Sequence, residues 1–549
     1  MTGASGMTVH RLLADSLGAH GVRHLFGLIG DANLFMVDAF VRAGKGRYIA
    51  CTHEAAAVLA AIGHAQASGG TGVATITHGP ALTNVITALV EGVKGCIPLV
   101  VLCGDTPPGD REHLQKIDQR ELVKATGAGF VELQGPASAA SDLARAFRMA
   151  AVERRPVLFN MRSDLQWEIA GDSPPPVLPV PVIRAALTED AAFDEAMGMI
   201  ASARRPLILA GRGAIHPEAR GAILALARRL EAPVSTTLKA AGLFHGERFD
   251  LGIFGTLSTP VAAEAILQSD CIIAFGASLS RLTTVRGAHV KGRRVVQVLG
   301  DLADNSRRTE PGITLIADPA LAALRMVEVL DMAEIPPSGN ADAGLEQRLA
   351  DEAAAFAAPP VFGRTAPGTV DLLPALRRLA AALPPDRVLV TDLGRFVSFA
   401  WKALPVTAPQ DLIYTGHFAA IGLGLAEAVG AALAATGRTT VLVTGDGGFL
   451  LSGVVELATA VRETLDLVIL LCNDGSYGAE HVQFTRRQMD PAIALTAPPD
   501  FVALAAALGV RALRVAGQGD LPAAAEAIRT RKGPVLIDLR LDPDQMSAG

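Results

Sequence analysis

The stretch Val441-Leu-Val-Thr-Gly-Asp-Gly447 closes an apolar run with Gly-Asp-Gly, and Leu467-Val-Ile-Leu-Leu-Cys-Asn473 closes the next one with asparagine. Between them Val454, Val455, Leu457, Ala458 and Val461 carry helical spacing. The order is therefore strand, turn, helix, strand. It sets a carboxylate and a carboxamide at one edge of a parallel sheet, the edge at which open α/β sheets take ligands. Asp446 offers an anionic oxygen and Asn473 a neutral one, a pair suited to Mg²⁺ held against a diphosphate. Gly445, Gly447 and Gly448 let the backbone approach phosphate oxygens, and the N-terminus of the following helix favours their charge.

Outward from this pair, strands and helices alternate along the chain. In a first block, running to about Ala170, Gly72-Val-Ala-Thr-Ile-Thr77 and Pro98-Leu-Val-Val-Leu-Cys103 read as buried parallel strands. A proline-rich linker, 173–181, follows. A middle block, from near Val182 to near Val329, holds apolar runs at 206–210, 271–275 and 295–298. Residues 334–368, rich in Ala, Pro and acids, read as a second, partly helical connection. The last block, from about Thr369, holds Arg387-Val-Leu-Val-Thr391, the two decisive strands and Pro534-Val-Leu-Ile-Asp538. A chain of 549 residues is too long for one core. The expected class is α/β, with three doubly wound parallel-sheet domains at 1–172, 182–333 and 369–549.

Composition narrows the function. Half the residues are hydrophobic and 19% charged, with a net charge of −6. Acids and bases are interspersed, without the basic stripe that nucleic acid demands. The five cysteines are scattered, with no CxxC, and their odd number argues against a disulfide framework. Buried thiols are the expectation. No basic patch precedes an apolar stretch at the N-terminus, and no run is long enough to span a bilayer. A cytoplasmic protein without a membrane partner is expected. Met7 reads as an alternative start after a disordered leader. The surplus of Ala and Gly suggests close helix packing and wide subunit contacts.

Gly-Asp-Gly, 25 further residues (448–472) and then asparagine resemble the metal–diphosphate motif of thiamine diphosphate (ThDP) enzymes. The order of the blocks is similar to the pyrimidine-binding, central and diphosphate-binding domains of the acetohydroxyacid (acetolactate) synthase and benzoylformate/pyruvate decarboxylase family. The likeness covers nearly the whole chain. It implies ThDP and Mg²⁺ as cofactors, with Asp446, Asn473 and the carbonyl of Gly475 on the metal; Asp474 is the rival ligand. Asp392-Leu-Gly394-Arg395-Phe396 resembles the other diphosphate contact, made by backbone amides, with Phe396 where some relatives carry histidine. Ser476 and Tyr477 join Gly445, Gly447 and Gly448 among the cofactor contacts.

Glu54, between Tyr48-Ile-Ala-Cys-Thr-His53 and an Ala-rich helix, resembles the glutamate that engages the aminopyrimidine ring. A buried glutamate suits that task, because burial raises its pKa. A plain first-turn glutamate facing the helix dipole is the alternative. In Tyr414-Thr-Gly-His-Phe-Ala-Ala-Ile-Gly-Leu-Gly424, Ile421 matches the residue that supports the bent coenzyme, although plain core would read the same. The carbonyl of Ala419 matches the acceptor of the coenzyme's 4′-amino group.

On the substrate side, Thr77-His78-Gly79-Pro80-Ala-Leu-Thr-Asn84 resembles a TSGPGATN-type loop with His78 in place of serine. An imidazole there can protonate or orient a carbonyl, or only bond to the loop backbone. Gln115 matches a polar residue facing the cleft, and His113 does not recreate the histidine pair of pyruvate decarboxylases. His417 and Phe418 fall near the reacting carbon, and His481 and Gln483 at the entrance. Gly211-Arg-Gly213 resembles a dinucleotide turn without the full motif. Related synthases place FAD in this block, but Phe275-Gly-Ala-Ser-Leu-Ser280 departs from their pattern, so FAD is not favoured.

The resemblance implies an enzyme that decarboxylates a 2-oxo acid and ligates the resulting enamine to a carbonyl acceptor. A decarboxylase releasing an aldehyde, a C–C lyase or hydrolase, and a non-catalytic ThDP-binding subunit are the alternatives. It also implies a homodimer or homotetramer, with Glu54 and Asp446 of one active site contributed by different subunits.

Overall fold

The computed structural model describes residues 6–171, 174–301 and 312–545. Residues 1–5 of the expected leader and the first linker residue, Ser173, lie outside the described residues. Each of the three blocks forms one six-stranded sheet of parallel strands with helices between them. The first holds β1 (His24–Gly27), β2 (Arg47–Ala50), β3 (Gly72–Ile76), β4 (Leu99–Asp105), β5 (Gly129–Glu132) and β6 (Pro156–Arg162), in the order 2-1-3-4-6-5. The second holds β7 (Pro206–Ala210), β8 (Val234–Thr236), β9 (Asp250–Ile253), β10 (Cys271–Phe275), β11 (Arg294–Leu299) and β12 (Ile313–Ile316), in the order 12-11-10-7-8-9. The third holds β13 (Arg387–Thr391), β14 (Leu412–Tyr414), β15 (Thr439–Gly445), β16 (Leu467–Asn473), β17 (Arg511–Val515) and β18 (Val535–Arg540), in the order 14-13-15-16-18-17.

The inner strands are buried along almost their whole length, because helices cover both faces of a parallel sheet and leave no solvent side for polar residues. In the last sheet Gly445 pairs with Cys472, and Asn473 with Arg540. That register sets Asp446 beside Asn473 at the carboxyl edge. After β13 the chain turns to one side for β14, and then crosses to the other for β15. The switch point, at which open α/β sheets take ligands, thus lies between the ends of β13 and β15.

Two compact units form. One comprises Met1–Pro181, Phe362–Leu404 and Ile413–Gly549, so it unites the first and last sheets; the other comprises Val182–Val361 and Pro405–Leu412. Within the first unit, the helix Glu54–Ser68 packs on the helix Gly424–Ala434, in one apolar cluster containing Ala57, Ala61, Ala426 and Val429. The approach is close enough that a Cβ added to Gly430 would stand 1.7 Å from the Ala60 carbonyl oxygen. This is the helix contact the Ala and Gly surplus foretold.

In the second unit, Gly211 follows β7 and Gly276 follows β10, on the two sides of that sheet's switch point. A Cβ on Gly211 would lie 2.4 Å from the Gly276 carbonyl oxygen, so contact between the two turns explains the glycine that resembled a dinucleotide motif. The helix Ala343–Ala357 occupies the second connection. All five cysteines are free thiols. Among the described residues no helix is long and apolar enough to cross a membrane.

Candidate active site

Asp446 opens the helix Asp446–Ser452 directly after β15 and is buried. Its Oδ2 has no hydrogen-bond partner among the described residues, and neither has Oδ1 of Asn473. The Asn473 amide is not loose: Nδ2 donates to Oδ1 of Asp538 at 2.8 Å, which fixes which end of the carboxamide is left over. Two adjacent buried oxygens without donors are costly unless a cation or donor meets them. Burial, and next the neighbouring Asp474, push the Asp446 carboxyl up to about 7, against the pull of the backbone N–H groups of Asp446, Gly447 and Gly475. Gly475 sits at φ +63°, and its carbonyl accepts the Thr496 N–H at 2.7 Å, which leaves one lone pair. One carboxylate, one carboxamide and one carbonyl are the hard oxygen donors that Mg²⁺ takes.

The rival ligand is already engaged. Asp474 Oδ2 accepts Nη2 of Arg395 at 2.7 Å, and its Oδ1 accepts the Ser476 N–H at 2.9 Å and the Ser476 hydroxyl at 2.8 Å. Arg395 also donates to the Pro543 carbonyl at 3.0 Å. The guanidinium and the Ser476 hydroxyl therefore serve the loop itself. The Phe396 ring packs on Gly394 and Gly445, and half-exposed Tyr477 packs on Gly447.

Asp392, just past β13, is buried and organises the switch point. It accepts the Leu393 N–H at 2.7 Å, the Gly422 N–H at 3.1 Å and the Thr444 hydroxyl at 3.1 Å. Burial pushes its carboxyl above the usual range. The loop it holds contains Ile421, which is only half-buried, as a coenzyme support would be and a core residue would not. Ala419 stands in the left-handed region, at φ +62°, a strain of about 1 kcal/mol for a residue with a Cβ. Upstream, the amides of His417 and Phe418 donate to Oε1 and Oε2 of Glu91 at 2.8 and 2.6 Å. The His417 ring meets Tyr414 edge-on at 5.5 Å.

On the first block, Glu54 begins its helix and accepts Nδ2 of Asn84 at 3.0 Å. It is only half-buried, where full burial was expected. The turn before it is anchored from the last block, where Glu456 accepts the Thr52 N–H at 2.8 Å and also the Thr52 hydroxyl. His78 is buried just after β3, with Nδ1 3.2 Å from the Thr77 hydroxyl. Its ring lies edge-on to that of His113, centroids 5.1 Å apart. A histidine pair, which sequence reasoning did not join, is thus assembled from two separate segments. Burial, and next His113, lower the His78 pKa. Gln115 donates its N–H to Nδ1 of His113 at 3.2 Å, and its carbonyl packs against Gly79, whose φ of +57° excludes a larger residue. His481 is buried, with Nε2 3.4 Å from exposed Asp544.

The residues fall into two groups, one around Asp446 and Asn473, the other around Glu54 and His78. Sequence reasoning missed Asp538, Glu91, Glu456 and Asn84 as parts of the arrangement. Asp538 ended a recognised strand and Asn84 a recognised loop. Glu91 was signalled only by one acid in the otherwise apolar run Ile86-Thr-Ala-Leu-Val-Glu-Gly-Val93.

Comparison with known proteins yields three matches to thiamine pyrophosphate enzyme families: the N-terminal TPP binding domain over residues 7–122, the central domain over 193–327 and the C-terminal TPP binding domain over 392–539. The chain is 29% identical over 544 residues to the acetolactate synthase large subunit of Parasynechococcus marenigrum, covering 96% of this chain and 86% of that protein. It is 28% identical to the acetolactate synthase isozyme 2 large subunit of Escherichia coli, covering 96% and 95%. A probable acetolactate synthase large subunit of Methanocaldococcus jannaschii is 27% identical, covering 97% and 91%.

Proposed function

The chain belongs to the thiamine pyrophosphate enzymes, and from that premise we propose a Mg²⁺-dependent carboligase that decarboxylates a 2-oxo acid and joins the remaining acyl unit to a carbonyl acceptor, as in an acetolactate synthase. The observation that carries the metal is the pair of buried, unpartnered oxygens on Asp446 and Asn473 at the switch point of the last sheet. When bound, ThDP supplies a carbon nucleophile and a sink for the electrons that carbon dioxide leaves behind.

The rest falls to the chain's own residues. Asp446, Asn473 and the Gly475 carbonyl hold the metal. With the coenzyme bound, amides of Gly394 to Phe396 and of Gly447 and Gly448 would meet its phosphates, Ile421 would support it, and the Ala419 carbonyl would accept its amino group. Glu54 holds a proton at the aminopyrimidine ring. His78, paired with His113, and His417 are the groups placed to orient a substrate carbonyl. Glu54 is only half-buried within one chain, so we assign its remaining cover to a second copy of the chain and propose a homodimer or homotetramer with active sites between subunits. We place the enzyme in the cytoplasm and take its domains as 1–172, 182–333 and 369–549. FAD has no assigned role.

Product analysis after incubation with a panel of 2-oxo acids, with and without aldehydes or a second 2-oxo acid, tests this reading. Acetolactate-type products support it. An aldehyde alone moves it to a decarboxylase, and no consumption of any acid removes it. Glu54→Gln is expected to retain ThDP but lose at least about a hundredfold in hydrogen–deuterium exchange at the coenzyme C2, within the usual reach of acid–base groups. Exchange at the wild-type rate would take Glu54 out of the mechanism.

A further inference from the structure

Glu91 lies outside every motif that led to the site, and its carboxylate is fully buried. It projects from the helix Ile86–Gly95, whose other buried members are Ala88, Leu89, Gly92 and Gly95. An alanine or leucine would satisfy such a helix face better, since a carboxylate taken from water must find donors for both oxygens. Glu91 finds them in two consecutive backbone amides of the last block, His417 at 2.8 Å and Phe418 at 2.6 Å. The same helix reinforces the grip: the Lys94 ammonium lies 5.7 Å from the Phe418 ring centre, and Gly95 packs on the His417 ring. The next residue is Ala419, in its left-handed conformation. Three residues further on, Asp392 accepts the Gly422 N–H. The loop is therefore fastened on both sides of the strained residue, by a carboxylate of the first block and a carboxylate of the last.

Without Glu91 the flanking anchors are Thr415 on the Thr391 carbonyl and Gly422 on Asp392, and Ala419 between them would relax toward an ordinary conformation and carry its carbonyl with it. The two bonds from Glu91 oppose that, because either amide must give up its bond to the buried carboxylate in order to turn. We propose that Glu91 is a positioning residue for coenzyme activation, holding the His417–Phe418 backbone so that the Ala419 carbonyl stays presented to the coenzyme's amino group. This rests on the coenzyme reading above. Glu91 touches neither coenzyme nor substrate and acts through the loop.

The test uses the full-length protein with Glu91→Gln, which keeps shape and size but turns an NH₂ toward one of the two amides, and Glu91→Ala. In coenzyme-free protein, hydrogen exchange read by mass spectrometry should show the His417 and Phe418 amides exchanging about tenfold faster or more in both variants, with the helix Gly424–Ala434 as protected as in wild type. With ThDP and Mg²⁺ at saturation, C2 hydrogen–deuterium exchange should fall by about 10- to 100-fold, the usual reach of a group acting one shell away. The kcat should fall with it, while KM for the 2-oxo acid stays within about twofold, since no substrate contact is lost. Wild-type amide protection in Glu91→Gln overturns the proposal. So does faster amide exchange with C2 exchange unchanged, which would leave Glu91 a merely structural residue. If the Ala variant fails to fold, the isosteric Gln variant carries the test. Absence of C2 exchange in the wild-type protein would sink the coenzyme reading itself, and this proposal with it.

Discussion

Asp538 offers a test of the metal site that leaves every proposed ligand intact. The Asn473 carboxamide is fully buried, and its only fixed end is Nδ2, bound to Asp538 Oδ1 at 2.8 Å. A hydrogen bond to a carboxylate contributes about 1.5–3 kcal/mol. Without it, a half-turn of the amide would present NH₂ to the cation at little cost. Groups that orient a metal ligand from behind are worth about 10- to 100-fold in metal affinity. At about 1.4 kcal/mol per decade that spans roughly the energy of the lost bond, so the two estimates agree. Asp538→Ala is therefore expected to raise the Mg²⁺ concentration for half-maximal ThDP binding about 10- to 100-fold, read by calorimetry at fixed ThDP. Asp538→Asn should lose less, because its own carbonyl can still receive Nδ2. Arg514, which lies 3.3 Å from Asp538, keeps Asp500 at 2.7 Å, so the variant strands no cation. A Mg²⁺ requirement within twofold of wild type, in an Asp538→Ala protein that still unfolds cooperatively, would refute the assignment of Asn473 as a ligand oriented from behind.

Two further predictions concern the seam between the first and last sheets. His64, on the helix Glu54–Ser68, has its pKa lowered to about 4, by burial first and by His24 second. The unfolded chain takes up a proton at this residue near pH 6.5, and the folded chain only near 4, so stability is full above 6.5 and is lost as pH falls toward 4. From pH 7 to 5 this amounts to at most about 2 kcal/mol. Urea unfolding of His64→Leu should lack that share of the acid sensitivity, and an unchanged pH dependence would count against it. Gly430→Ala puts a methyl group 1.7 Å from the Ala60 oxygen, and the two helices must part. A loss of about 3 kcal/mol or more in the unfolding free energy is expected, and a variant as stable as wild type would show that the helix contact is loose.

The parts of this molecule that were legible in its sequence are those written in side-chain pattern. Apolar runs of five to seven residues marked the buried strands of the last sheet, and residues at run ends fixed which side chains share its carboxyl edge. Asp446 and Asn473 are adjacent for that reason alone. Glu54 was legible by position but not by environment, because burial at a helix N-terminus depends on what lies opposite. The histidine pair was missed for a different cause. His78 and His113 belong to loops after β3 and β4, and their approach depends on the path of a segment with no periodic pattern to read. Glu91 and Glu456 were missed because both reach backbone amides of a block far away in sequence, Glu456 the Thr52 hydroxyl as well, and every sequence position supplies such amides and none advertises them.

Those last two residues form a reciprocal arrangement. Glu91 of the first block holds the loop of the last block that precedes Ala419. Glu456 of the last block holds Thr52 of the first, two residues before Glu54. Each sheet thus positions, through a buried carboxylate, the piece of the other that the coenzyme reading places nearest the reacting rings. Glu427 lies in the same seam, bound by Gln66 at 3.0 Å, its carboxyl held well above the usual range by burial, then by Glu91, then by Asp392. The helix seam and the coenzyme-binding geometry are therefore one mechanical object. A substitution that spreads the helices, such as Gly430→Ala, must move Gly424–Ala434 and with it the loop that enters that helix, so ThDP affinity should fall along with stability. A change in the surface of the same helices that leaves their spacing intact should disturb neither.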